Sequence, residues 1–224
     1  MQGGNLLANG SGLAIATTRL FEDNRISRPG KDYQQDETYV KQQFMQFCNI
    51  KELMLLKPLE QEVTRHVDMF ATFLAKDLVL VAQLDPRLDP QNARILDDNA
   101  KLLSQASVDG RPLRVERIWI PPRRFQHWST YTNIILTDRL ALIPTYQSDP
   151  PAYIKEATKT YRRLLPKHTV KTIDMTSMDK LGGSLHCLSC LIPSFAKLPS
   201  NTVTFDEAVV KQNLQPANTH RFLD

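Results

Sequence analysis

The stretch Asn5-Leu6-Leu7-Ala8-Asn9-Gly10-Ser11-Gly12-Leu13-Ala14-Ile15-Ala16-Thr17-Thr18-Arg19-Leu20 places two apolar segments on either side of an Asn-Gly pair. Asn-Gly accepts the positive φ angles of a tight reversal, so the stretch reads as two antiparallel strands joined by a hairpin. Further along, Val40, Phe44, Phe47 and Cys48 recur at i, i+4, i+7 and i+8, the apolar face of an amphipathic helix. A strand pair followed by a helix is an order that then returns. Residues 53–56, 67–74 and 78–82 read as strands, and Asp89 caps a helix with Pro90 at its first position, burying Ile95, Leu96, Leu102 and Leu103. Residues 114–120 form a strand and 132–146 a hairpin turning near Asp138. Asp149 and Pro150 open a helix carrying Ile154, Ala157, Tyr161 and Leu164, stopped by Pro166. Residues 169–173 and 184–192 read as closing strands. A strand-strand-helix-strand unit recurring about every 60 residues predicts an α/β fold of some three modules about an axis.

Composition narrows the function classes. The 224 residues fit one domain, and 42% hydrophobic with 23% charged residues exclude wholesale disorder. A net charge of +4 is too small to argue for nucleic acid. No apolar run approaches the roughly 18 residues a membrane span needs, and no signal-peptide pattern opens the chain. Three cysteines, Cys48, Cys187 and Cys190, are an odd count and too few for a disulfide scaffold, which indicates a reducing, cytoplasmic setting with a thiol free for chemistry.

Three short runs carry chemistry. His66 and Asp68 flank Val67 in a predicted strand, where period two puts both side chains on one sheet face. An imidazole beside a carboxylate can shuttle protons and hold a cation, while the structural alternative is a surface pair. Cys187 follows Gly182-Gly183, which permit close approach of backbone and ligand; its thiolate would be a strong nucleophile, and the alternative is a buried structural cysteine. Cys187-x-x-Cys190 lacks the second pair a zinc site wants, and on a strand its two sulfurs would face opposite ways. Arg111, Arg114, Arg117, Arg123 and Arg124 lie near Trp119, Phe125, His127 and Trp128. Such interleaving can bind single strands, but it reads first as a solvated strand face and a loop, with Trp128 or Phe125 packing on a ligand.

In order along the chain stand Gly3-Gly4-Asn5 leading to Asn9-Gly10, then His66-Val67-Asp68, then Tyr131-Thr132-Asn133 before a hairpin, and last Gly182-Gly183 leading to His186-Cys187. This set resembles the agmatine deiminase and bacterial-type (Porphyromonas-type) peptidylarginine deiminase family of guanidino-group-modifying enzymes. The resemblance covers residues 2 to about 193, leaving 194–224 as a C-terminal extension. It implies a pseudo-symmetric α/β propeller around a central site, of which this chain would carry the later three units. Family members have further upstream sequence, including an aspartate that clamps the guanidinium; by that measure the chain is N-terminally truncated.

The resemblance also implies roles. Cys187 would be the nucleophile, His66 the general acid and base, and Asp68 a ligand of the guanidinium. Gln2, Asn133, Gly182, Gly183 and Trp128 would shape the pocket. Neither metal nor organic cofactor is called for. The implied reaction is hydrolysis of a guanidino C–N bond in agmatine, arginine or peptidylarginine, with putrescine synthesis the conventional role of the agmatine branch. No nucleic acid or membrane partner is expected, while an oligomer is allowed. Two positions depart from the pattern: Gln2 stands where the family has an acidic residue, and Arg65 where it has glycine. They motivate a second reading, a guanidino-binding module or remnant without turnover. A third, amidino transfer, replaces water with an amine.

Overall fold

A computed structural model describes residues 2–24, 26–28, 31–33, 37–124, 127–179 and 183–190. By its internal contacts the chain divides into two compact units, Met1–Ser189 and Cys190–Asp224. All that follows concerns the first. The predicted polar extension over 194–224 and the ligand contact expected of Phe125 lie outside the described residues.

Three three-stranded sheets share one topology. In the first, Leu7–Ala8 pairs antiparallel with Leu13–Thr17, which pairs parallel with Glu52–Leu56. In the second, Ala71–Ala75 is antiparallel to Leu78–Gln83, itself parallel to Arg114–Trp119. In the third, Ile135–Leu136 is antiparallel to Leu140–Thr145, which is parallel to Thr169–Asp174. A parallel neighbour requires a crossover, and helices supply it: Glu37–Phe47, Pro90–Leu103 and Pro151–Leu164. The mixed α/β class and the recurring unit expected from periodicity are both present, with the module boundaries shifted by one strand: residues 53–56 complete the first sheet rather than opening the second, and 114–119 complete the second rather than opening the third.

The central strands of the first two sheets are apolar over nearly their whole length, as suits strands covered on both faces. Leu78, Val79, Leu80, Val81 and Ala82 are all buried, as are Leu13, Ala14, Ile15 and Ala16. The first hairpin is longer than the two-residue turn that Asn-Gly signals. Asn9 Oδ1 accepts the N–H groups of Ser11 (2.8 Å) and Leu13 (3.1 Å), and Gly10 and Gly12 take φ of +75° and +97°. Asp89 caps its helix by accepting from Asn92 N at 3.0 Å. Asp149 does not cap: Pro150 holds that place, while the Asp149 carboxylate accepts from Ser129 Oγ and Tyr131 Oη, both at 2.6 Å. Phe47 is 91% exposed because the chain turns at Cys48 and Asn49, and Ile50 packs inward instead; Leu102 is likewise exposed.

Two buried networks anchor the loops that carry chemistry. Asn99 grips Lys57 through both its N–H and its C=O, and Asn92 Oδ1 accepts from Glu60 N at 2.8 Å, fastening residues 57–60 to the second helix. Tyr161 Oη donates to Tyr131 O at 2.7 Å, and Tyr131 donates to Asp149, fixing the start of 131–133. Burial, reinforced for Tyr131 by Asp149, holds both phenols far above their ordinary range, so they remain donors.

Candidate active site

His66 and Asp68 do not lie on a strand. A 3-10 turn, Val67–Met69, precedes strand Ala71–Ala75, with His66 extended (φ −88°) just before it. The cause lies one residue upstream. Arg65 has φ +59°, a left-handed conformation that breaks strand continuity. It is held by the buried Glu62, whose carboxylate accepts from the main-chain N–H groups of Thr64 and Arg65 and, at 3.3 Å, of His66. The Arg65 guanidinium reaches Glu22 at 2.7 Å, and its carbonyl accepts from Thr17 Oγ1 at 2.7 Å. Its bulk therefore points to Glu22, and glycine would suit the same φ without steric cost. We expect Arg65→Gly to leave stability within about 1 kcal/mol, since relief of backbone strain offsets a weak, partly exposed ion pair and added chain entropy. Arg65→Val, β-branched at positive φ, should cost about 2 kcal/mol. Urea denaturation of the two variants checks both.

Gly4 explains how His66 and Asp68 meet despite the lost strand. It sits in a 3-10 turn, Gly3–Asn5, with Asn5 buried at its end. Asn5 Oδ1 accepts from Thr17 N and Oγ1, each at 2.9 Å, and from Val67 N at 3.2 Å, tying this turn to the first sheet and to the His66–Asp68 segment. A β-carbon on Gly4 would lie 2.6 Å from Asp68 Oδ2 and 2.9 Å from His66 Nδ1. Both side chains thus close on the same bare backbone atom.

Cys187 arrives on a third 3-10 turn, His186–Leu188, where period-two reading expected a strand. Asn133 Oδ1 holds that turn by accepting from His186 N at 2.7 Å, and Asn133 Nδ2 lies 3.4 Å from Cys187 Sγ. Asp68 Oδ2 is 3.5 Å from the same sulfur and 2.9 Å from His186 Nδ1. Asp68 and Asn133 are fully buried, so the sulfur of an otherwise exposed residue faces inward. Partial burial, then the negative charge of Asp68, push the Cys187 thiol up; hydrogen bonds from the Ser184 main chain and Asn133 oppose them. Two polar atoms here, His66 Nε2 and Asp68 Oδ1, are buried with no hydrogen-bond partner among the described residues. Such orphans are costly unless a ligand completes them.

The remaining expected residues divide. A β-carbon on Gly183 would lie 3.5 Å from that of Cys187, an ordinary contact, so this glycine is not required for space; Gly182 lies outside the described residues. Gln2 is exposed, its carbonyl accepting from Asn5 N at 3.0 Å while its side chain makes no cap. Trp128 is 5% exposed within the hydrophobic core, its indole N–H directed at Gln61 O; the packing it fulfils is internal, not the ligand stacking expected of it. The arginine cluster is largely tied to the protein, Arg114 to Asp77 and Arg117 to Asp97. Cys48, Cys187 and Cys190 are free thiols. Asn5 and His186 stand in the sequence motifs without an assigned role, and Glu62 carries no signal in the sequence.

An α/β scaffold of repeated units gathers a thiol, a carboxylate and a carboxamide, with an imidazole and the carboxylate against the same glycine. The chain belongs to the Porphyromonas-type peptidyl-arginine deiminase family, whose model matches residues 1–193. It is 23% identical over 219 residues to an inferred agmatine deiminase of Latilactobacillus sakei, a match covering 87% of this chain and 58% of that one. Its fold is similar to that of an inferred arginine deiminase of Porphyromonas gingivalis (TM-score 0.71, 24% identity, 86% of this chain and 56% of that one). It is also similar to a substrate-bound agmatine deiminase variant of C. jejuni (TM-score 0.64, 17% identity, 83% and 54%). The chain thus spans little more than half the length of these relatives. Among the described residues no helix is long and apolar enough to cross a membrane.

Proposed function

We propose that this chain carries the thiol half of a guanidino-group hydrolase, with a small guanidino compound, agmatine or an arginine-like group, as substrate. The observation that supports it most is the pair of buried orphans, His66 Nε2 and Asp68 Oδ1, beside a sulfur 3.5 Å from the same carboxylate. A carboxylate oxygen with a spare lone pair suits a planar N–H donor. The guanidinium charge would also reverse the effect of burial on Cys187, favouring its thiolate when substrate is present.

In this reading Cys187 Sγ adds to the guanidinium carbon. The tetrahedral adduct collapses with cleavage of a C–N bond, and the departing nitrogen takes a proton from His66 and leaves as ammonia. His66 then draws a proton from water, the hydroxide adds to the same carbon, and the C–S bond breaks to free the ureido product and the thiolate. Asp68 binds the cation, Asn133 lies beside the thiol, and Gly182, Gly183 and Gln2 are assigned to substrate binding. No cofactor enters any step. We further read residues 1–193 as part of a pseudo-symmetric propeller, 194–224 as an extension, and the cytoplasm as its compartment.

Incubation with agmatine, arginine and an arginine-containing peptide, followed by assay of ammonia and of the ureido product by mass, tests the proposal; no product from any of the three rejects it. A second reading, guanidinium binding without turnover, is favoured by Gln2, which is exposed and brings no charge where a cation must be balanced. Calorimetric binding in the absence of product would select it.

A further inference from the structure

We infer that His186 is a positioning residue for Asp68: its ring fixes one carboxylate oxygen so that the other stays open to the substrate cation. The inference rests on the deiminase reading for its kinetic consequence but not for its geometry. Asp68 is buried, and Oδ2 is confined on one side by the bare backbone of Gly4 and on another by His186 Nδ1 at 2.9 Å. Because a carboxylate only accepts, Nδ1 is the protonated ring nitrogen in this contact. The ring is placed independently of that bond, through the His186 main-chain N–H on Asn133 Oδ1 at 2.7 Å and the turn it begins. Thr132 Oγ1 holds the Asp68 carbonyl at 3.2 Å, so the residue is pinned at main chain and side chain alike, and Oδ1 alone is unpartnered.

Without the ring, Oδ2 keeps, among the described residues, only the thiol as a hydrogen-bonding neighbour, at 3.5 Å. A carboxylate so placed opposes formation of the Cys187 thiolate by like charge, and it is free to turn Oδ1 away from the site. His186 thereby couples cation binding to the nucleophile through one oxygen. Its side chain is 30% exposed, so replacing it does not open the core.

The test compares His186→Ala with His186→Asn, whose amide can restore an N–H near the Nδ1 position, in a Cys48→Ser, Cys190→Ser background. Iodoacetamide alkylation of Cys187 is followed against pH, and KM and kcat are measured with the best guanidino substrate. The expected result is an alkylation midpoint raised by about one pH unit in the alanine variant and largely restored by asparagine. KM should rise about tenfold with a smaller change in kcat, the scale of one lost charge-assisted hydrogen bond. An unshifted midpoint in folded His186→Ala protein overturns the inference. Should the parent protein show no turnover, the deiminase reading fails, yet the alkylation profile still decides the role of His186.

Discussion

Replacing Cys187 with alanine is expected to abolish ammonia release, by roughly 10³-fold or more, while leaving the thermal midpoint unchanged. The size of the effect follows from the role. No neighbouring side chain can replace a covalent nucleophile: Asn133 is an amide and Asp68 is committed to His186 and, in the proposed reaction, to the cation. The stability prediction follows from position. Cys187 lies on an exposed 3-10 turn, and removing its sulfur leaves Asn133 with its bond to the His186 main chain. Product released at an undiminished rate by the alanine variant would assign the chemistry elsewhere. A chain that unfolds would show instead that the sulfur is structural.

The second large effect concerns Gly4, whose neighbour Gly3 provides the control. Alanine at position 4 puts a β-carbon 2.6 Å from Asp68 Oδ2 and 2.9 Å from His66 Nδ1, well inside contact distance, whereas at position 3 nothing lies within 4 Å. Asp68 and His66 are both buried, so neither can retreat without disturbing its surroundings. A shift approaching 1 Å in catalytic groups typically costs about 10²-fold in rate, and that is the loss in kcat/KM expected of Gly4→Ala. Overpacking should also cost about 1–3 kcal/mol of stability. Gly3→Ala should match the parent in both. Steady-state kinetics together with urea denaturation of the pair checks the prediction, and equal kinetics for the two variants would refute it.

How far the fold was legible depends on the range of the interactions that decide each part. The helix at Pro90–Leu103 and its Asp89 cap are set within a few residues, so Pro, Asp and apolar spacing reveal them. The hairpins at Asn9-Gly10 and near Asp138 are equally local. Period-two reading failed at both chemical segments for the same reason. Residues 66–69 alternate polar and apolar and 186–188 sit in an apolar-rich run, but their backbone is bent into 3-10 turns by side-chain hydrogen bonds, one set local and the rest from distant segments. The first turn depends on Glu62, Thr17 and Asn5, the second on Asn133, some fifty residues away in sequence. Trp128 illustrates the same limit: an aromatic after a Pro-Pro loop is the same string whether it meets a ligand or, as here, the core.

The order of the residues, by itself, determined the α/β class, the recurring hairpin and crossover helix, and which side chains are chemically capable: one thiol after a glycine pair, one imidazole and one carboxylate a residue apart. These follow from composition, turn chemistry and periodicity, all properties of neighbours. Only the tertiary structure decided that Asp68, Asn133 and Cys187 converge, that Gly4 is the space His66 and Asp68 share, and that His186 occupies one oxygen of Asp68 while leaving the other bare. The physical reason is that a carboxylate's role is set by the donors around it, and here those donors come from segments more than a hundred residues apart along the chain.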